Sequence, residues 1–158
     1  MSILDSARAA GDAAVRFLHR LAWLPPLAAR IAVGWVLAQS GWRHLANLDG
    51  FRSYFHKLGI PLADLQAPMA GGTELVCGGL VIVGLFTRLA SVPLMVVMAV
   101  AIITAKRDEI TEIGDLFGFF EFLAILLLLW LAIAGPGAIS LDRLLFRPRS
   151  SAPVKPAA

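Results

Sequence analysis

Two glutamates inside otherwise apolar segments are the residues of this sequence best placed to do chemistry. Glu74 lies within GGTELVCGG, and Glu121 lies within GFFEFLAI. If those segments cross a bilayer, an ionised acid at its centre costs about 2.5–3.5 kcal/mol, even on the lenient scale derived from membrane-insertion experiments. Each carboxyl is then protonated, paired or near water, so we expect both to face the interior of the protein.

Cationic and titratable residues end two other apolar segments on the same predicted side. Arg43 and His44 end the first segment, and Lys106 ends the third. We expect Glu74, Glu121 and His44 to form a proton relay or ligand site, with Arg43 or Lys106 as ligand-binding residues at its rim. The residues alone support equally well a structural ion-pair network that holds the helices together.

Several classes of site find no support in the sequence. The three histidines and the single cysteine, Cys77, do not have the spacing of metal ligands, so no metal site is predicted. There is no phosphate-binding glycine loop and no nucleophile elbow. The net charge is +3, but the basic residues mostly flank apolar runs and do not alternate with aromatic residues. We therefore expect no nucleic-acid partner.

The elements that must position these residues are long apolar helices. Of the 158 residues, 58% are hydrophobic and 16% charged, whereas soluble domains are about half apolar and about a quarter charged. A run of twenty residues spans about 30 Å as a helix, the thickness of the hydrocarbon core. The sequence thus predicts an all-α fold, a four-helix transmembrane bundle in the lipid bilayer. The predicted spans are 26–45, 67–86, 89–105 and 116–134.

The regions around the spans are more polar. Residues 1–24 have the spacing of an amphipathic helix that lies in the membrane interface. The membrane domain is predicted over 25–146, and the Pro/Ser/Ala-rich segment 147–158 is predicted to be a disordered tail. The connector 46–61 is expected to hold a second interfacial helix. A turn of only two residues, Thr87 and Arg88, is predicted between the second and third spans.

The distribution of basic residues predicts the orientation. With four spans both termini lie on one side, and nine of the fourteen lysines and arginines share that side. The positive-inside rule then places both termini in the cytoplasm, in a plasma (inner) membrane of bacterial type. Arg30 and Arg88 would lie at the inner face, as structural anchors to head groups, to the last carbonyls of a neighbouring helix, or to Asp142.

Three segments together resemble the DoxX family of small four-helix membrane proteins. They are ARIAVGWVLAQSGWRHL, ELVCGGLVIVGLFTRLASV and AGPGAISLD, and the resemblance covers roughly residues 28–142. No single motif is very specific, but their order and spacing are. The matching positions are Arg30, Gly34, Gly41, Glu74, Gly79, Gly84, Thr87, Arg88, Gly135, Gly137, Ser140 and Asp142.

The chain also departs from the pattern of that family. A lysine is usual where His44 stands, and a basic residue is often found near Glu121. A histidine is common near the end of the third span, where this chain has Thr104, Ala105 and Lys106. If these residues bind a ligand, the differences imply that the ligand, or its protonation, differs here.

The resemblance implies a role beside a redox enzyme. Members of the family are similar to subunits of quinol- or thiosulfate-linked respiratory enzymes, so a quinone is the implied ligand and a redox enzyme the implied partner protein. The sequence shows no flavin, haem or iron–sulfur site, so the chain is at most an oxidoreductase subunit without its own redox centre. The alternative is a non-catalytic membrane scaffold, an assembly component or a small carrier.

Overall fold

The protein is an all-helical bundle in the part of the chain that the computed structural model describes, residues 11–12 and 15–145. The α-helices are α1 (Leu24–Ala46), α2 (Leu48–Lys57), α3 (Ala63–Val83), α4 (Thr87–Ala105), α5 (Phe120–Ala134) and α6 (Leu141–Leu145). Short 3₁₀ helices cover Arg107–Glu109 and Ile113–Gly118. The predicted four-helix bundle is confirmed, with α1, α3, α4 and α5 as its members.

The two predicted flanking segments are described only in part. Residues 11–12 and 15–20 are helical and exposed, and the remainder of the predicted interfacial helix up to residue 14 lies outside the described residues. The tail predicted at 147–158 also lies outside them. The connector helix predicted between the first two spans is present as α2.

The turn between α3 and α4 differs from the prediction of a two-residue turn at Thr87 and Arg88. The chain leaves α3 after Val83 because Gly84 takes a φ of 72°, a left-handed conformation that ends helices readily. Phe86 follows with a φ of 49°. Thr87 and Arg88 therefore form the first turn of α4, and the two helices still make the expected antiparallel hairpin.

The fourth apolar helix is shorter than predicted. It begins at Phe120, four residues after the predicted start, because Ile113–Gly118 adopt a 3₁₀ helix instead. At 1.5 Å per residue, α5 is only about 22 Å long. Among the described residues, α3 and α4 are long and apolar enough to cross a membrane by length and composition. Helix α1 has the length but carries Arg30 and Gln39 in its apolar run.

Helices α1 and α3 pack with their backbones almost in contact. A Cβ added to Gly41 would lie 2.5 Å from the Gly71 carbonyl oxygen, and one added to Gly78 would lie 2.7 Å from the Ala38 nitrogen. Lipid tails are as apolar as leucine, so such close backbone approach is what holds helices together in a membrane. The small residues of both helices thus serve the close packing.

The other helices complete the core from the opposite side. Helices α4 and α5 pack as a second pair, and α3 joins the pairs through its hairpin with α4. Fully buried leucines mark the centre, with Leu37 on α1, Leu94 on α4, and Leu128 and Leu131 on α5. The two pairs leave space between them towards the end of the bundle that carries α2.

Candidate functional site

A cavity of about 740 Å³ lies between the two helix pairs, on the side covered by α2. Its walls come from α1, α2, α3, α4 and the first turn of α5. We call it the histidine cavity, after His44 in its wall. The five residues predicted to form a functional site all line it. They are Arg43, His44, Glu74, Lys106 and Glu121.

Glu74 and His44 form a direct pair in this wall. The His44 Nδ1 atom lies 3.0 Å from Glu74 Oε2, with the Glu74 side chain 6% exposed and the His44 side chain 33% exposed. The close approach of α1 and α3 brings the two together, because Gly41 lies one turn before His44 and faces the Glu74 backbone region. The buried acid therefore has a polar partner inside the bundle.

An aromatic side chain covers one face of the imidazole ring of His44. Phe51 of α2 stacks on the His44 ring with centroids 3.8 Å apart and planes 6° from parallel. Phe55 in turn contacts Phe51 edge-to-face, at 4.6 Å between centroids. With Nδ1 engaged by Glu74, His44 Nε2 has no hydrogen-bond partner among the described residues. The ring is held in one orientation with one nitrogen available to a ligand.

Lys106 pairs with Glu109 and not with Glu74. Its Nζ donates to both oxygens of Glu109, at 3.0 and 3.1 Å, and lies 5.4 Å from the Phe119 ring centroid. The hydrogen bond to Glu109 raises the pKa of Lys106, and the charges of Glu109 and Glu121 add to that effect. Glu74 thus pairs with His44 and not with Lys106 or Arg43.

Glu121 is placed at the start of α5, where the helix dipole favours a negative charge. Its carboxylate lies within the electrostatic field of Lys106 without a hydrogen bond to it. Arg43 lines the cavity from the last turn of α1 and is exposed. The two acids and the three cationic or titratable groups therefore share one cavity, and only Glu74 and His44 are in direct contact.

Comparison with known proteins assigns the chain to a family. The sequence profile of DoxX matches residues 26–107, which contain nearly all of α1, all of α2 to α4 and both members of the Glu74–His44 pair. The chain belongs to the DoxX family.

Curated relatives agree with this assignment. An uncharacterized membrane protein of Mycobacterium tuberculosis is 35% identical over 81% of this chain and 85% of its own length. The inner membrane protein YphA of Escherichia coli is 36% identical over 74% and 87%. CatD of Bacillus subtilis, whose name suggests an oxidoreductase, is 27% identical over 77% and 87%. No solved structure matches the chain significantly. This DoxX protein is therefore a membrane protein.

Sequence reasoning missed the part of the site that α2 supplies. Phe51 and Tyr54 were assigned only to an interfacial helix, yet both line the histidine cavity. Their helical spacing was visible in the sequence, but it does not distinguish an apolar face directed at lipid from one that covers a cavity. Thr73, which precedes Glu74, and Ser40, one turn before His44, add two hydroxyls to the wall.

The described residues of this DoxX protein hold no group of three or more His, Cys, Asp or Glu side chains arranged to bind a metal ion. Cys77 lies on α3 as a free, half-buried thiol. The chemistry that the histidine cavity offers is consequently that of a carboxylate, an imidazole and flanking cations.

Arg30, Arg88 and Asp142 lie at the opposite end of the bundle. An Nη2 atom of Arg30 donates to the Ile139 carbonyl, and Nη2 of Arg88 donates to the Ile133 carbonyl at 3.3 Å. Asp142 accepts backbone hydrogen bonds at the start of α4. None of the three residues lines the histidine cavity.

Proposed function

We propose that this DoxX protein binds a lipophilic quinone in the histidine cavity, as a membrane subunit of an oxidoreductase system. The observation that carries the proposal is the buried Glu74–His44 pair in the wall of a cavity large enough for a substituted ring. The name of the Bacillus subtilis relative, which suggests an oxidoreductase, favours the same class of activity.

The walls of the histidine cavity suit a flat, mostly apolar ligand with polar edges. Valines and methionines of α3 and α4 supply the apolar surface, and Val96 and Met69 are also exposed on the outside of the bundle. A ligand dissolved in the bilayer can therefore approach from the lipid side. The His44 ring, held by Phe51 and Glu74, then presents Nε2 as a hydrogen-bond partner for a ring oxygen.

Reduction of a quinone to a quinol takes up two electrons and two protons. The electrons come from a partner redox enzyme, since this chain contributes acid–base groups. His44 donates a proton from Nε2 to the ring oxygen, and Glu74 stabilises the imidazolium before donation. Glu121 and Lys106 form the second polar edge of the cavity and pass the second proton from the aqueous side to the other ring oxygen. In quinol oxidation the same groups accept the protons.

The proposal includes an orientation for the chain. Both termini lie in the cytoplasm, the bundle helices α1, α3, α4 and α5 cross a bacterial plasma membrane, and the histidine cavity faces the outer side. The nine-to-five distribution of basic residues supports this arrangement. Single cysteines placed at Ser150 and at Asp108, with Cys77 replaced, test it by labelling intact cells. Position 108 should react with an impermeant reagent, and reaction of position 150 would reverse the assignment.

The test of function is quinone retention. The protein is purified in mild detergent, and co-purifying quinone is quantified by mass spectrometry for wild type, Glu74→Gln and His44→Phe. The His44→Phe variant keeps a ring to stack on Phe51 and loses the nitrogen atoms. Both variants should lose most of the bound quinone while their helical content is unchanged.

The matched control is Asp64→Asn, which alters the exposed pair of Asp64 with His56 outside the histidine cavity. Its quinone content should equal that of wild type. A scaffold function is favoured instead if Glu74→Gln unfolds at lower temperature but wild type carries no quinone. In that case the Glu74–His44 pair only stabilises the fold, and the quinone-binding proposal fails.

A further inference from the structure

A second cavity, of about 700 Å³, lies at the end of the bundle opposite the histidine cavity. It is formed by the first turns of α1, the last turn of α3 and the segment 138–144. We call it the arginine cavity, because Arg30 and Arg143 are the charged residues that line it. The proposed quinone site does not extend to this space.

Arg30 in the wall of the arginine cavity lacks partners for most of its N–H groups. The residue is 1% exposed. Its only side-chain hydrogen bond among the described residues goes from Nη2 to the Ile139 carbonyl, while Nε and Nη1 are buried without an acceptor. Buried guanidinium groups in proteins are normally paired and fully hydrogen-bonded, because an unpaired buried charge is strongly unfavourable. Among the described residues, Nε and Nη1 of Arg30 thus keep their capacity to donate to an anion.

The acid that acts on Arg30 is already engaged elsewhere. Asp142 attracts the guanidinium electrostatically. However, its Oδ1 accepts the N–H of Phe86 and its Oδ2 accepts the N–H of Thr87. No hydrogen bond joins Asp142 to Arg30. Two arginines therefore line this cavity, and the carboxylate that acts on Arg30 is used as a backbone cap.

We propose that the arginine cavity binds the phosphate group of an anionic phospholipid. A guanidinium presents N–H groups in a planar fork that matches phosphate oxygens, which would supply the acceptors that Nε and Nη1 of Arg30 lack. Arg143 is exposed on α6 and adds a second positive charge at the cavity. The rest of the lining is largely apolar, including Leu27, Ile82 and Leu144, and suits the start of an acyl chain.

This proposal is independent of the quinone site, because the two cavities share no lining residue. It is tested by native mass spectrometry of the full chain in detergent, with phosphatidylglycerol and phosphatidylcholine added in turn. Both lipids carry a phosphate, but only phosphatidylglycerol has a net negative charge. We expect one molecule of phosphatidylglycerol to remain bound, about 25-fold more tightly than phosphatidylcholine, the combined effect of two basic residues at about fivefold each.

Two variants and one control locate the binding. Arg143→Gln changes an exposed residue and should lower the affinity for phosphatidylglycerol by about fivefold, and Arg30→Gln should lower it at least as much. Arg107→Gln removes an exposed arginine from the far end of the bundle and should change nothing. If Arg30→Gln does not fold, Arg143→Gln with its Arg107→Gln control decides alone.

Competition with glycerol phosphate identifies the source of the anion. If millimolar glycerol phosphate displaces the lipid, the arginine cavity is still a phosphate site, but its ligand is a soluble phosphate ester. Failure to displace it assigns the site to the lipid. Equal binding of both lipids by wild type, or unchanged binding in Arg143→Gln, overturns the proposal.

Discussion

The carboxylate of Asp142 accepts a 2.7 Å hydrogen bond from the backbone N–H of Phe86, although 56 residues separate the two in the sequence. Phe86 has a φ of 49°, which is unusual for a large side chain. The second carboxylate oxygen accepts the N–H of Thr87 at 3.2 Å, and the Asp142 N–H donates to the Gly84 carbonyl. The segment after α5 thereby fixes the turn between α3 and α4 and caps α4.

Replacement of Asp142 should therefore destabilise the α3–α4 hairpin. Asp142→Ala leaves the N–H groups of Phe86 and Thr87 without their acceptor, at a cost of about 1–3 kcal/mol. Thermal unfolding in detergent, followed by circular dichroism, measures the loss. Asp108→Ala is the control, because Asp108 is exposed in the 3₁₀ helix after α4 and its side chain makes no hydrogen bond with another described residue. Equal melting temperatures for the two variants would show that the cap contributes nothing.

The glycine pair Gly78–Gly79 gives a matched test of the α1–α3 contact. A Cβ on Gly78 would meet the Ala38 nitrogen at 2.7 Å, whereas a Cβ on Gly79 meets nothing within 4 Å. Gly78→Ala should force the helices apart and cost about 1–3 kcal/mol. Gly79→Ala should be neutral or stabilising by about 0.5–1 kcal/mol, since alanine favours helix. Unfolding in the same detergent compares them, and a more stable Gly78→Ala would contradict the packing.

The helical fold could be predicted from sequence because long apolar runs leave few alternatives in a membrane. Errors arose at the ends of runs, where hydropathy is uninformative. The prediction continued the second span to Phe86, but Gly84 ends α3 through a left-handed backbone that no hydropathy pattern encodes. Similarly, the 3₁₀ helix before α5 depends on side-chain caps from Glu112 and Asp115, which local polarity alone did not distinguish from a loop.

The candidate site was only partly predictable, for a different reason. The cost of acids in apolar helices predicts that Glu74 and Glu121 face inward, and both line the histidine cavity. Depth along a helix can be counted from the sequence, but rotation about its axis and the position of a connector cannot. The sequence thus did not select His44 as the partner of Glu74, and it gave no sign that Phe51 stacks on the imidazole.

Asp115 provides a prediction about pH. Hydrogen bonds from the Glu112 and Thr111 N–H groups and from the Thr111 hydroxyl lower the pKa of its carboxyl. A lowered pKa in the folded state means that the ionised form stabilises the 3₁₀ segment above the ordinary carboxyl pKa. That contribution is lost as the pH falls through the lowered value. A carbon-detected NMR titration should place the Asp115 midpoint below 3.8, the ordinary value.

Thr111→Val removes one donor and tests the cause of that shift. The Asp115 midpoint should move up towards the ordinary value while the two backbone donors retain part of the effect. The direction is opposite to that expected from burial, which raises a carboxyl pKa. A midpoint in the wild-type protein at or above the ordinary value would show that the hydrogen bonds do not persist in solution.

The contact between His44 and Glu74 should have a measurable coupling energy. A double-mutant cycle uses His44→Phe, Glu74→Gln and the double variant, and compares the free energies of unfolding in detergent. Because the Glu74 side chain is only 6% exposed, its interaction with His44 is weakly screened. We expect a coupling of about 1–2 kcal/mol, within the range for residues in contact.

The chain offers a second His–acid pair as a control for this cycle. His56 Nε2 lies 3.4 Å from Asp64 Oδ1, with side chains 59% and 76% exposed. The corresponding cycle, with His56→Phe and Asp64→Asn, should give a coupling below about 0.5 kcal/mol, as is usual for exposed pairs. Since phenylalanine preserves stacking on Phe51, the His44 cycle isolates the polar contact. Equal coupling in the two cycles would mean that burial adds nothing to the His44–Glu74 pair, and that Glu74 reaches water through the cavity.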